Sequence, residues 1–337
     1  MSPDWLLIET LGDQPMIVAQ GRQMKNFVPI NIFFRRNPNL AALSAAVAQT
    51  LMSETGLTIA TARGDRVIRT DRVVMTDGRV HGVHLWYGPA EAEPPQRPLP
   101  GAWMCNRNLR SSLTPQFLLN IGKDPGMEPL SGRSIADDLP ADSFNEGESE
   151  ALSLAVDGSP GRTFAANWSF RDGRGAFRRV GFCIRIILET DADGNEHPVG
   201  RSMNISESVS DGPLSADQLA QRVIDGMARP GVHRAIIDLN TWSLIKWLDE
   251  PCPFYDWRAK PQMNPEDRKR FSAQMAEELA FDQTTAVLRL PASGGWVPIH
   301  VTVNRIELNK GIFAGLVALR RPTDEEIAGA GLTPDPG

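Results

Sequence analysis

Three tandem α+β modules, each a five-stranded antiparallel sheet with helices on one face, are predicted by three features of the sequence. A run of strand, turn, long strand, turn, long strand occurs three times. Apolar residues at helical spacing precede these triplets. The chain has 337 residues, more than one ordinary core fills, since domains cluster at about 100 to 150 residues.

The first triplet runs from Leu57 to Ala62, Val67 to Met75 and Val80 to Tyr87. Its last turn is Asp77-Gly78, a strong hairpin signal between β-branched runs because both central residues must accept positive φ. The second runs from Thr163 to Phe170, Ala176 to Glu189 and Val199 to Ile205. Its middle strand alternates, with Val180, Phe182, Ile184, Ile186 and Leu188 on one face and Cys183 and Arg185 on the other. The third runs from Ala286 to Leu290, Val297 to Leu308 and Ile312 to Arg320.

Leu40, Leu43, Val47 and Leu51 form a helical stripe before the first triplet, and Phe271, Met275 and Leu279 form one before the third. Asn264 suits the cap of that last helix, Pro265 its first position, and Glu266 and Asp267 its dipole. Residues 124–161 are rich in Pro, Gly, Ser and acids and read as short helices and loops. Short apolar strands open each module, so each reads β-β, helices, β-β-β.

Composition shifts place the modules at 1–92, 101–208 and 231–322. Pro89 to Pro100 reads as a stiff, solvated linker. A linker helix is expected over 215–230, where Ser215 and Gln218 have capping-box spacing and Leu219, Val223, Ile224 and Met227 form a stripe. Residues 323–337 carry no stripe and are expected to be a flexible tail.

The formal net charge of −6 gives no global positive field for a phosphate backbone, which excludes nucleic acid. Cys105, Cys183 and Cys252 lack the spacing of a zinc or redox site and fit a reducing cytoplasm. Met1 to Trp5 has no basic leader, and no run of about 18 apolar residues occurs, so neither secretion by that route nor membrane insertion is expected.

No phosphate loop, dinucleotide fingerprint, nucleophile elbow or kinase string is present. His81 and His84 lie three apart on a strand, on opposite faces, and read as surface residues rather than metal ligands. His300, on the polar face of its strand, reads as exposed. Asp137, Asp138, Glu146, Glu148 and Glu150 read as solvated loop acids. Phe164, Trp168 and Phe170 are candidate ligand-cavity or core-lining residues. Trp242, Trp247, Tyr255 and Trp257 are candidate partner contacts or anchors of their own loop.

The strings D-W-L-L-I-E-T-L-G (Asp4 to Gly12), G-R-Q (Gly21 to Gln23), D-R-V-I-R-T (Asp65 to Thr70) and D-G-R-V-H-G (Asp77 to Gly82) resemble an actinobacterial family. Its members are triple sensor-domain proteins, PAS-GAF-PAS in order, with no effector domain. The layout β-β, helices, β-β-β is likewise similar to PAS and GAF domains. By this resemblance the middle module would be GAF-like, and the residues leave a third PAS domain open. The resemblance implies a signalling sensor or adaptor that binds a small ligand or a protein partner and acts in trans without catalysis. An interaction scaffold with filled pockets and an unrecognised enzyme are the alternatives, and oligomers are open. No cofactor is expected: Cys105 lies in Met104-Cys105-Asn106-Arg107 rather than in a flavin-type string, and no cyclic-nucleotide set occurs.

Overall fold

A computed structural model of the chain describes residues 3–140, 144–207, 218–278 and 283–332. The first module contains β1 (Leu6–Glu9), β2 (Met16–Gln20), β3 (Gln23–Pro29), α1 (Ile30–Phe33), α2 (Leu40–Met52), β4 (Thr58–Ala60), β5 (Arg66–Val74) and β6 (Val80–Pro89). They form a six-stranded sheet in the order β3-β2-β1-β6-β5-β4. β5 and β6 turn at Asp77-Gly78, where Gly78 takes a φ of 85°, a left-handed conformation that glycine adopts without a Cβ clash. Leu43, Ala46, Val47 and Thr50 of α2 are buried at helical spacing, and the first two apolar rows meet Ile8, Ile17, Ile68, Val83 and Leu85 of the sheet.

The middle stretch contains β7 (Gly101–Asn106), β8 (Arg110–Leu113), α3 (Pro115–Asn120), β9 (Ser131–Ser134), a 3-10 turn (Ile135–Asp137), α4 (Glu148–Asp157), β10 (Thr163–Arg171), β11 (Phe177–Thr190) and β12 (Glu196–Ser206). Its sheet is also six-stranded, in the order β10-β11-β12-β7-β8-β9. The last stretch contains α5 (Gln218–Gly226), β13 (His233–Ile237), β14 (Leu244–Trp247), α6 (Pro265–Glu278), β15 (Gln283–Ala292), β16 (Gly295–Asn309), β17 (Ile312–Arg320) and α7 (Asp324–Gly329). Its sheet has five strands, β14-β13-β17-β16-β15.

One order recurs in all three sheets. Numbering the five expected strands of each module one to five, every sheet reads 2-1-5-4-3, all neighbours that share a ladder register being antiparallel. The first two sheets each add a strand outside strand two, β3 and β9. The expectation of five strands is corrected for these two modules. β3 was hidden because Gly21 makes a tight turn at φ 58° and Phe27 sits at φ 47°, which breaks the alternation that marks a strand. The chain is three antiparallel sheets with few helices, mostly β rather than evenly α+β.

The chain divides into two compact units: 1–107 with 111–132 and 158–215, and 108–110 with 133–157 and 216–337. In the first unit, the sheet face opposite α2 packs on the middle sheet. Leu7, Val18 and Val73 there meet Ala102, Cys183, Met203 and Ile205. β6 is consequently buried on both faces, as six consecutive buried residues record. In the second unit, Phe271, Trp242, Leu288, Ile299, Val301 and Val317 form the core on one face of the five-stranded sheet.

Several expectations shift at the ends of elements. α5 lies within the expected linker helix, while Ser215 falls outside the described residues, as do Leu279 and the side chains of Leu219 and Met275. Part of the expected flexible tail is a helix, α7. Thr323 and Glu326 form a reciprocal capping box at its start and Ile327 is buried, so local capping supplies the order that an apolar stripe does not.

Candidate functional site

A cavity of about 420 Å³ lies in the first unit. Its floor comes from β5 and β6. Asp71 and His84 are cross-strand partners, so they share a face, and Val73 lies two residues on from Asp71 on that same face. One wall is Arg97, Leu99 and Pro100, and the other is Thr114, Pro115, Gln116 and Leu119 at the start of α3.

Each wall has a local cause. Pro115 pre-sets the first helical φ of α3. The backbone of α3 runs so close to β7 that a Cβ on Gly101 would come within 2.3 Å of Phe117. Asn120, at the end of α3, donates from Nδ2 to the Leu99 carbonyl at 3.0 Å and to the Asn204 side-chain oxygen at 2.9 Å. That amide ties the linker to the helix. Trp5 Nε1 donates to the Pro95 carbonyl at 2.9 Å, and Arg97 lies over the Trp5 ring, 5.7 Å from its centroid. The segment expected to be a solvated linker is therefore strapped to the module and forms a wall.

His84 is 1% exposed, and neither ring nitrogen has a hydrogen-bond partner. Its ring lies 5.2 Å from that of Trp5. Burial pushes its pKa down to about 3, with the Arg97 charge adding to the effect and Asp71 opposing it. At neutral pH it is an uncharged imidazole with one donor and one acceptor unused. Arg97 forms an ion pair with Asp71 at the mouth. Val74, Leu99 and Leu119 are exposed beside that pair, and Thr114 and Gln116 are also part of the lining. A concave site of this volume with a mixed apolar and polar lining is of the size of small-molecule sites.

Both histidines depart from the surface placement expected of them. Period two does separate them, but the first unit covers both faces of β6. His81 is fully buried; its Nδ1 donates to the Ser202 carbonyl at 3.1 Å and its Nε2 accepts from Arg201 at 3.0 Å. Burial lowers its pKa to about 4. Arg201 also binds Glu189 and Asp77. Arg185 binds Glu9 through two bonds of 2.8 Å. Glu9, Arg201 and Cys183 are buried where the first and middle sheets pack together, and Arg185 is partly so, while Asp77 in the β5–β6 turn keeps about a third of its side chain exposed.

Phe164, Trp168 and Phe170 are buried on β10. Trp168 meets Phe182 edge-on at 4.6 Å and Phe164 lies 5.8 Å from the same ring. They are core, and none lines either described cavity. Trp242, Trp247 and Tyr255 are buried in the core of the second unit, with Trp257 packed against it. Trp247 contacts Trp257 at 5.3 Å and Tyr255 at 6.5 Å. The rings of Trp242, Trp247 and Tyr255 are taken up by that core, and Trp257 is partly buried against it. The cavity among Trp242, Tyr255 and Leu288 is about 20 Å³, room for about one water.

Three of the five acids of the middle stretch depart from the solvated placement, while Glu146 and Glu150 are exposed as expected. Glu148 on α4 is buried and pairs with Lys246, which is 0% exposed on β14. Asp138 binds Arg133 at 2.8 Å with both side chains buried, and Asp137 binds Arg258 at 2.6 Å. His300 is half-buried, with its Nε2 3.5 Å from Glu326. Burial and Arg320 lower its pKa. Among the described residues no group of three or more His, Cys, Asp or Glu is placed to hold a metal ion, and no helix is long and apolar enough to cross a membrane.

A chain of three antiparallel-sheet modules with a cavity in its first unit defines a tandem multi-domain protein. It belongs to the Rv3651-like family: the N-terminal domain of that family matches residues 4–96, the middle domain 99–207 and the C-terminal domain 217–330. The chain is similar to an uncharacterized protein from Mycobacterium tuberculosis of known crystal structure, with 48% identity over 98% of this chain and 99% of that one and a TM-score of 0.89. A sensory box histidine kinase/response regulator from Burkholderia thailandensis E264 aligns at 15% identity over 38% of this chain and 84% of its own, with a TM-score of 0.22. An RNA-binding light-oxygen-voltage receptor aligns at 10% identity over 69% and 98%, with a TM-score of 0.25. No curated protein matches the chain.

Proposed function

We propose that the protein is a cytoplasmic sensor or adaptor of three PAS- and GAF-like modules, which binds a small molecule and acts on a protein partner in trans without catalysis of its own. The observation that carries this reading is the 420 Å³ cavity floored by His84. Its volume lies within the range of small-molecule sites, about 300 to 1,000 Å³, and its lining sets Val73, Val74, Leu99 and Leu119 beside Asp71, Arg97, Thr114 and Gln116. The strand order 2-1-5-4-3, shared by all three sheets, supports the modular sensor layout. In this reading the ligand sits beside the first sheet, against α3 and the strapped linker, rather than inside a module between sheet and helices.

The test is native mass spectrometry of the full chain purified from its source. A retained mass of a few hundred daltons, lost on Leu119→Trp at the cavity rim, is the expected result. Retention of no small molecule at all would count against a ligand sensor. It would favour a scaffold that works through protein contacts alone, a second reading supported by the filled core around Trp242, where only about 20 Å³ remains.

A further inference from the structure

We propose that Met24, together with Met16 and Met104, is a site of methionine sulfoxidation through which hydrogen peroxide loosens the joint between the first and middle sheets. Such a site is independent of whether the cavity beside β5 takes a ligand.

The joint is rich in sulfur. Among the residues that pack it, Met16, Met24, Met75, Met104 and Met203 are methionines and Cys183 is a cysteine, which gathers five of the chain's 11 methionines on one surface. Unbranched thioethers suit the irregular gaps between two twisted sheets. Two of them are seated closely. Met24 on β3 lies over Gly181 of β11, its Sδ 2.8 Å from where a Cβ on that glycine would stand, and Met203 on β12 lies over Gly82 of β6, its Sδ 3.0 Å from the corresponding point. Each sheet thus sets a methionine on glycine backbone of the other.

Sulfoxidation is a two-electron step. A thioether lone pair attacks one peroxide oxygen and the O–O bond breaks. The sulfur keeps the attacked oxygen, whose proton passes to the other, and that oxygen departs as water; sulfur is oxidised and the peroxide reduced. The thioether needs no ionisation for this. The Cys183 thiol in the same joint is pushed up to about 12 by burial and lacks the thiolate that reacts. Met75 and Met203 are buried, whereas Met16, Met24 and Met104 are partly exposed where they pack against the joint, so oxidant reaches these three first. The new oxygen is a strong acceptor among apolar side chains and stays solvated only by turning toward water. For Met24 that means leaving its seat on Gly181 and parting β3 from β11. Val73 belongs both to the joint and to the cavity lining, so a loosened joint alters the cavity as well.

Hydrogen peroxide titration of the full-length protein tests this, with oxidation at each methionine read by peptide mass spectrometry and stability by the melting temperature. Met52 and Met127, 89% and 83% exposed outside the joint, should be modified first with no change in melting temperature. As Met24 is modified the melting temperature should fall by at least about 4 °C, and methionine sulfoxide reductases should restore it. The triple variant Met16→Leu, Met24→Leu and Met104→Leu, which nearly conserves volume, should keep its melting temperature under the same treatment. Should that variant not fold, Met24→Gln, which sets a carboxamide near the place of the sulfoxide, should lower the melting temperature of untreated protein by a similar amount. A melting temperature that stays constant while Met24 is fully oxidised overturns the proposal. So does a Met24 that peroxide leaves unmodified, a triple variant as sensitive as the parent, or a Met24→Gln protein as stable as the parent.

Discussion

His84 costs the fold stability. A buried donor or acceptor without a partner costs about 1–3 kcal/mol, and both its nitrogens are in that condition. Replacing the ring with an apolar one of similar shape should recover part of this. His84→Phe is expected to raise the free energy of unfolding by about 1–2 kcal/mol at pH 7.5, measured by urea denaturation. The same residue makes stability depend on pH. Its pKa falls from 6.5 to about 3 on folding, and that of His81 falls to about 4. Below pH 6.5 the unfolded imidazoles bind protons that the folded ones do not, so stability drops as pH falls, by up to about 1.4 kcal/mol per pH unit for each histidine. The His84 contribution continues down to about pH 3 and the His81 contribution to about pH 4. The advantage of His84→Phe over the parent should therefore grow between pH 7.5 and 5.5. A constant difference across that range would show that His84 is not held neutral.

The strands of the three triplets were legible because period two and Asp-Gly or Gly-rich turns are local signals, and β5–β6, β10–β12 and β15–β17 follow them closely. What lay outside local reach was the second face of each sheet. His81, Cys183 and Arg185 occupy strand faces that alternation assigns to solvent, and only the packing of one sheet on another buries the first two and partly buries the third. Of the cavity, the sequence reading had the histidine and the proline-rich segment, but not that they share a site. Lys246 is the clearest signal that passed unread. It stands in Leu244–Trp247, a strand buried at every position, where a lysine requires a counter-charge. Cross-strand from Ile236, it lies on the sheet face opposite Trp247 and meets Glu148 of α4 there. Its ammonium also lies 4.6 Å from the centroid of Phe144. Lys246→Met alone would leave Glu148 uncompensated and should cost about 3–5 kcal/mol. Glu148→Gln added to it removes the stranded charge while keeping the acceptor for the Asn145 amide, bonded at 2.9 Å. The double variant should recover more than half of the loss in urea denaturation. A double variant as unstable as the single one would mean that charge is not what the pair supplies.

The pairing of α4 with β14 bears on how the chain is assembled, because α4 belongs by sequence to the middle domain of the family, residues 99–207. Residues 133–157 nevertheless fall in the compact unit of the last sheet. Ala136 lies in its core and Glu148 compensates its buried lysine. Domain boundaries by sequence and compact units in space therefore do not coincide, and the third module is incomplete without a segment that precedes it by more than sixty residues. A fragment of 218–337 alone would expose the site of Ala136 to water and leave Lys246 buried without its carboxylate, so it should aggregate or show no cooperative melt. The complementary expectation is stronger. If 1–207 and 218–337 are produced together as separate chains, the first carries residues 133–157 and can complete the second unit. The two should co-elute in size-exclusion chromatography and give a cooperative transition. Lys246→Glu in the second chain, which sets two carboxylates against each other in a buried site, should abolish that co-elution. Fragments that fold independently and elute apart would show that the 133–157 segment decorates the last module rather than completing it.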